Sequence, residues 1–572
     1  MRLQVSETKN AASYYVVKSV YANGKKTNKV VEKLGTHKQL KAKLGVEDPR
    51  KWAEEYVEKL NQLESENKEP DVIEKHSPSK IIEKGIRCKF NGGYLFLQQI
   101  YHELELDKIC KTISTKYNFK YDLNSILSRL IYGRIIFPSS KLSTYKLSSK
   151  LIEPPNFKLQ HIYRALGVIA KESDYIQSQL YNNSLKVADR NSHVLYYDCT
   201  NYYFEIEQED GLKQYGYGKD HKPNPIVQMG LFMDGNGLPL AFSINKGNTN
   251  EQLTLRPLEE KILKDFNLSK FVVCTDAGLS SDANRKFNDK DNRAFITTQS
   301  VKKLKRHLKE WALAPEGWYL SNDKTIYNIN ELDEEKDLDK VYHKERWIKE
   351  NGLEQKIIVT YSIKYKNYHR KIRYNQIERA LKTMNENPGK LKKSNQNDYK
   401  RFIDKTHYTA DGKQAKKEIY SIDTELIAKE EAFDGFYAVC TNLDDDVDTI
   451  VNVNRRRWEI EESFKIMKSE FKARPAFVSS DDSIEAHFMT CFLALFVYRL
   501  LERKLDEKYT CYEIFDTLRD MDFKEIKGDG YQPLYTRTDL TDDLHDAFGF
   551  RTDYEIVTLK NMKKIFRATK KH

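Results

Sequence analysis

The sequence predicts an α/β fold in which a catalytic core is interrupted by a β-rich insertion and preceded by a β-hairpin module and an all-α module. Three observations carry this expectation. The texture changes from helical periodicity to strand-length apolar runs at Val194. Two of those runs contain or end in an aspartate, Asp198 and Asp276. A third carboxylate, Glu461, stands on a helix far downstream, inside Arg455-Arg456-Arg457-Trp458-Glu459-Ile460-Glu461-Glu462.

Tyr14 to Tyr21 and Lys29 to Leu34 flank Asn23-Gly24-Lys25-Lys26 and read as a hairpin with a basic tip. A charged helix is expected from about Pro49 to Leu63, then a polar linker, Glu64 to Lys80, carrying Pro70 and Pro78. These make a module over 1–80. Residues 81–190 show helical apolar periodicity punctuated by Pro138-Ser139-Ser140 and Pro154-Pro155, and predict an all-α domain.

The strand pattern then runs Val194 to Thr200, Ile226 to Met233, and Leu238 to Ile244, with Gly235-Asn236-Gly237 as a hairpin turn. A helix near Leu253 to Phe266 leads to Phe271 to Thr275. Three meandering strands, a helix and a fourth strand resemble the opening of the ribonuclease-H-like fold. In that order the first and fourth strands are neighbours, so Asp198 and Asp276 are expected to meet. The core is expected over 191–296 and 431–508, with Phe436 to Thr441 as its fifth strand. Residues 297–430 form the insertion, because the gap between Asp276 and Glu461 is too long for one crossover. Within it lie a basic helix, Arg370 to Lys382, and the loop-like Asn387-Pro388-Gly389-Lys390. Arg474-Pro475 breaks the pattern after the Glu461 helix. Ser483 to Leu505 predicts an apolar helix packed on the sheet, and 509–572 an α/β segment ending in basic residues.

On the Glu461 helix, Arg457, Glu461, Phe464 and Lys468 are spaced by four, seven and eleven residues and share a sector of roughly 60°. Glu461 borders the apolar stripe of Ile460, Met467 and Phe471, whereas Glu459 and Glu462 are expected to face solvent. A simple i,i+4 pair between Arg457 and Glu461 is the plainer reading of the same spacing. Three carboxylates suit a pair of Mg²⁺ ions, since hard cations take oxygen ligands and keep waters for reaction. Asp198, Asp276 and Glu461 are therefore the expected catalytic and metal-binding residues, with Arg457 and Lys468 directed at DNA phosphates.

Net charge is +11, and lysine and arginine outnumber acids in Met1 to Arg50 and again in Val341 to Tyr420. A polyanionic partner is favoured. The seven cysteines lack zinc spacing; Cys199, Cys274, Cys440 and Cys491 sit in apolar runs and read as core residues of a reducing compartment. The N-terminus lacks the apolar stretch of a signal peptide and the run Phe488 to Tyr498 is short for a bilayer, so a cytoplasmic protein without a membrane partner is expected. No P-loop, H-E-x-x-H or G-x-S-x-G pattern occurs.

These residues resemble the DDE-class transposases of bacterial insertion sequences, in the group whose third carboxylate lies in a Tyr-x2-Arg-x3-Glu-x6-Lys signature. Arg457, Glu461 and Lys468 fall on that spacing. Asp198-Cys199-Thr200 and Asp276-Ala277-Gly278 resemble the two Asp motifs. Gly218-Lys219-Asp220-His221-Lys222-Pro223, Gly237-Leu238-Pro239-Leu240, and Gly247-Asn248 followed by Glu251 agree with it. Asn454 stands where the signature has tyrosine, so the role of that hydroxyl is lost or passes to the Asn454 amide.

The resemblance implies cut-and-paste transposition: Mg²⁺-dependent cleavage at the terminal inverted repeats, often through a hairpin, then strand transfer into target DNA. Two ions serve the chemistry, and Mn²⁺ could substitute. Lys219 is implied as a DNA contact, the modules over 1–80 and 81–190 as binders of DNA ends, and a homodimer as the assembly on paired ends. An insertion-domain tryptophan stacking on a flipped base leaves Trp311, Trp318 and Trp347 as candidates. The alternatives are a catalytically silent transposase-derived regulator or another ribonuclease-H-like two-metal nuclease.

Overall fold

In the computed structural model, residues 1–8, 11–22, 25–45, 48–67, 78–79, 81–219, 222–386, 397–407 and 418–571 are described. The chain divides into two units, Met1–Lys84 and Gly85–His572.

In the first unit, strands Arg2–Thr8, Ala11–Ala22 and Lys25–Thr36 form an antiparallel sheet in sequence order. The expected hairpin is present as its last two strands, while its tip residues Asn23 and Gly24 lie outside the described residues. Thr36 caps the helix His37–Leu44 by accepting from the Gln39 N–H, and Gly45 closes it in the left-handed region at φ 66°. Tyr14, Leu40 and Ala53 form its small core, with Trp52 packed against them. The helix Pro49–Asn67 runs further than expected, and most of the proposed linker lies outside the described residues.

The second unit is built on a nine-stranded sheet. From one edge its order is Pro239–Lys246, Ile226–Asp234, Val194–Tyr203, Phe271–Thr275, Arg293–Gln299, Phe436–Thr441, Leu353–Tyr361, Tyr342–Glu350 and Tyr319–Leu320. Val194–Tyr203, Phe271–Thr275 and Arg293–Gln299 are mutually parallel, and the other neighbours are antiparallel. Ile226–Asp234 is buried along its whole length, as a strand covered on both faces must be.

The fifth place from this edge belongs to Arg293–Gln299, not to Phe436–Thr441. The two runs look alike as short apolar strands and each follows a helix, but Asp282–Phe287 returns Arg293–Gln299 parallel to its neighbour Phe271–Thr275. Phe436–Thr441 pairs antiparallel on its far side. Residues 297–430 continue the same sheet with Tyr342–Glu350 and Leu353–Tyr361, and add the long helix Ile363–Glu386. Asn387 to Lys390 lie outside the described residues.

The helix Asp481–Lys504 is the pivot of this unit. Nearly every residue from Ile484 to Leu501 is buried, the pattern of a helix surrounded on all sides. It meets the sheet, as expected, along Pro239–Lys246, and also packs on the helices Leu123–Ile136 and Leu159–Lys171. One continuous core therefore joins Leu97, Ile131 and Leu166 from the helical segment, Tyr196 and Phe242 from the sheet, and Leu518 and Phe548 from the C-terminal segment. Lys89–Asn91 also pairs with Asp522–Ile526 in a four-stranded sheet completed by Gly530–Pro533 and Val557–Thr558. The four cysteines read as core residues are all buried.

Candidate active site

Parallel pairing matches Val194 with Val272, Leu195 with Val273 and Tyr196 with Cys274. Two residues further along the same register, Asp198 comes level with Asp276. Alternation on the strand places Tyr196, Asp198, Thr200 and Tyr202 on one face. That face is covered by the helices Val447–Arg455 and Trp458–Ser469: Tyr196 donates to the Val453 carbonyl at 2.9 Å, Lys468 Nζ reaches the Thr200 hydroxyl at 2.5 Å, and Tyr202 contacts Met467 sulfur at 3.9 Å.

Asp198 is largely desolvated, and burial pushes its carboxyl up to about 6; the Asp276 charge raises it further, while Lys219 and Arg457 act in the opposite direction. Its Oδ1 accepts the Cys199 N–H at 2.8 Å. Asp276 lies just past its strand in a tight turn, where its Oδ1 accepts the Leu279 N–H at 3.0 Å and its carbonyl accepts from the Thr297 hydroxyl. A Cβ on Gly278 would sit 3.3 Å from the Asp276 carboxylate, close enough to push that carboxylate aside by a few tenths of an ångström.

The three glutamates of the downstream helix have distinct surroundings. Glu461 pairs with Arg457 at 3.0 Å, and its side chain is 56% exposed. Glu459 binds Arg456 at 2.9 Å and is only 17% exposed, while Glu462 binds Arg499 at 2.9 Å and is 40% exposed. The expectation that Glu459 and Glu462 face solvent is corrected: the far side of this helix packs on Arg499 of the apolar helix and on the turn at Gly237, whose absent Cβ would lie 2.3 Å from Glu459. Glu461 lines the cleft beside Asn454 and Arg457, whereas Glu459 and Glu462 line a separate one on the far side of the helix. It joins Asp198 through Arg457, which pairs with Glu461 and lies within electrostatic reach of Asp198 and Cys274. The plain i,i+4 pair is thus present.

Lys219 donates to the Cys199 carbonyl at 2.9 Å and stands 3.8 Å from Glu251. Gln252, next to Glu251, donates to the Gly278 carbonyl, which ties this corner to the Asp276 turn. Asp220 and His221 lie outside the described residues. Lys468 is anchored on the Asp198 strand rather than standing as a solvated charge.

Asn454 is buried, and its amide donates to the Tyr437 hydroxyl at 2.7 Å. Tyr437 in turn contacts the Thr298 hydroxyl at 2.8 Å. The amide at the signature position is therefore engaged by a tyrosine from the sheet. Tyr437 was not singled out from sequence, because nothing in Phe436 to Thr441 marks its hydroxyl as different from that of any strand tyrosine. Together with Asn454, Arg457, Trp458, Glu461 and Tyr365 it lines a cleft of about 660 Å³. Of the candidate tryptophans, Trp318 is fully buried with its indole donating to the Ala314 carbonyl, and Trp347 is partly covered by Lys356. The tryptophan at the cleft is Trp458.

Asp542, His545 and Asp553 form a second acidic grouping, with donor atoms within 4.8 Å of one another. Arg551 holds both carboxylates and Arg537 also binds Asp542. His545 Nε2 accepts the Thr552 N–H at 3.1 Å, which leaves the proton of the neutral ring on Nδ1, the atom facing Asp553. That atom has no lone pair to offer, so the group does not fit a metal ion.

No curated protein matches the chain. Among solved structures it is similar to the piggyBac transposase in a synaptic complex with hairpin DNA, at 8% identity and a TM-score of 0.35, over 75% of this chain and 80% of that one. Residues 354–497 match the family model described as the transposase DDE domain, a stretch that includes Glu461 but neither aspartate, and this match supports a DDE transposase.

Proposed function

We propose that the protein is an insertion-sequence DNA transposase with a ribonuclease-H-like core, cleaving phosphodiesters at element ends and joining them to target DNA. The observation that carries the reading is the register that sets Asp198 level with Asp276, beneath the helix bearing Glu461. The sheet order, with a three-strand meander followed by two parallel strands on the other side of the first, supports the core assignment. The match to the transposase DDE domain supports the reaction class.

The donor set fits a hard dication. Burial and the neighbouring Asp276 charge hold the Asp198 carboxyl at about 6, an electrostatic strain that a cation between oxygen donors relieves. Asp198, Asp276 and Glu461 would hold Mg²⁺ ions, or Mn²⁺ in their place. When bound, such ions supply activation of the attacking oxygen and charge stabilisation of the leaving one. Asp198 presents its carboxylate from a rigid central strand, fixed by the Cys199 N–H. Arg457 screens the carboxylates in the free protein, and its guanidinium suits bidentate contact with a phosphate. Lys468 and Lys219 place two further cations beside the Asp198 strand for the DNA backbone. Pairing of two ends on a homodimer and a cytoplasmic location belong to the same proposal.

The test is cleavage of a duplex bearing an element end by purified Asp198→Asn and Asp276→Asn proteins with Mg²⁺. Both should lose cleavage by at least about 10³-fold while retaining DNA binding. Full activity in either variant would sink the assignment.

A further inference from the structure

The sequence from Ile556 to His572 contains no acidic residue. Its helix, Leu559–Ala568, buries Met562 and Ile565 against the second unit, with Phe566 packed on the same core. Lys560, Lys563, Lys564 and Arg567 are exposed on the opposite side. Their offsets of three, four and seven place them in one sector of about 100°, along about 10 Å of helix axis. Among the described residues, none of the four has an ion-pair partner; the cation of this segment that does is Lys570, bound to Glu153.

The helix carries this stripe at an energetic disadvantage. Lys560 with Lys563 and Lys564, and Arg567 with Lys563 and Lys564, are like-charge neighbours, each destabilising by a few tenths of a kcal/mol. Lys560 also sits in a first turn that has no acidic residue, where the helix dipole disfavours cations. The other basic helix, Ile363–Glu386, behaves differently: Lys364 pairs with Asp339, Lys366 with Glu334, Arg373 with Asp434 and Lys382 with Glu386. There four of the seven lysines and arginines are paired within the fold, whereas none of the four on Leu559–Ala568 is.

We infer that the Lys560, Lys563, Lys564 and Arg567 stripe is a docking surface for the phosphate backbone of duplex DNA, outside the carboxylate site. Its length covers about three phosphates at roughly 3.4 Å of axial rise per strand. The helix is already ordered on the core, so binding does not have to order a tail. The contact reads charge and carries no base recognition. It rests on DNA being the partner, as in the proposed function, but not on the carboxylates.

The experiment measures affinity of the full chain for a random-sequence duplex lacking element ends, across KCl from about 50 to 200 mM. The variant K560Q/K563Q/K564Q/R567Q should flatten the log K against log salt slope by about two units or more, and weaken binding at the lowest salt at least about tenfold. The control K336Q/K382Q, on surface cations paired within the fold, should leave the slope unchanged. An unaltered slope in the stripe variant overturns the proposal, as does preference of the parent protein for phosphatidylserine vesicles over duplex. Should the fourfold variant melt early, K563Q/R567Q must show about half the slope change; no change there also overturns it. Because Asp198→Asn reads cleavage and the stripe reads the salt slope, failure of either proposal is distinguishable.

Discussion

The side-chain amide of Asn454 donates to the hydroxyl of Tyr437 at 2.7 Å, and Thr298 closes the group by contacting both residues. The helix that leads to Arg457 and Glu461 is thereby tied to the central sheet through polar groups in a buried setting. Tyr437→Phe should leave the buried Asn454 amide and the half-buried Thr298 hydroxyl short of a partner and lower stability by about 1 kcal/mol. Asn454→Ala should cost a similar amount, and the double variant less than the sum, since the two changes delete one shared interaction. Urea titration of the four proteins measures the coupling.

Glu461, Glu462 and Glu459 lie within one turn, yet only Glu461 opens to the cleft. Glu461→Gln should abolish end cleavage with little change in melting temperature. Glu462→Gln should spare most cleavage and lower stability by about 1 kcal/mol, because it weakens a partly buried contact with Arg499. Parallel cleavage assays and thermal melts separate these outcomes; loss of cleavage only in the Glu462 variant would reassign the third carboxylate.

Trp318 and Trp458 should respond in opposite ways to truncation. Trp318→Ala removes a fully buried ring and should destabilise by about 3–5 kcal/mol. Trp458→Ala, at an exposed position on the cleft, should leave the melting temperature nearly unchanged and weaken binding of an element-end duplex. Equal melting temperatures for both variants would contradict the packing described for Trp318.

Lys141 is buried beside Arg134, with His487 and the Cys491 thiol nearby, and burial lowers its amine to about 7. Its pKa is depressed on folding, so the folded state releases the proton before the unfolded chain does. Stability associated with this group is present above the unfolded pKa of about 10.4 and is lost as pH falls through about 7. Lys141→Met should therefore be more stable than the parent at pH 6, by on the order of a few kcal/mol, with the gap closing toward pH 10. A pH-independent difference in chemical denaturation would contradict this.

The two aspartates were legible from sequence because each interrupts or ends an apolar strand, where a carboxylate has few structural reasons to be. Their meeting followed from the order of strands and one helix. The fifth place did not: Arg293–Gln299 and Phe436–Thr441 have the same local texture, and strand direction is decided by what the intervening chain packs against. The first strand, Arg2–Thr8, is not legible because it has only two apolar positions, Leu3 and Val5, too few to mark an alternation. Glu459 and Glu462 were misplaced because their partners, Arg456 on the adjoining turn and Arg499 on a distant helix, are chosen by tertiary packing. Helical spacing fixes which residues share a face, not what covers it.

The helix Asp481–Lys504 fills the middle of a core whose early helical walls, from Tyr94 to Ser184, leave the ribosome far sooner. During synthesis those early helices have apolar faces with no final partner until the late helix emerges. Folding of this unit consequently waits on contacts between distant parts of the chain, which slow it. A fragment ending before Asp481 would retain most of the sheet strands and still be a poor object to express.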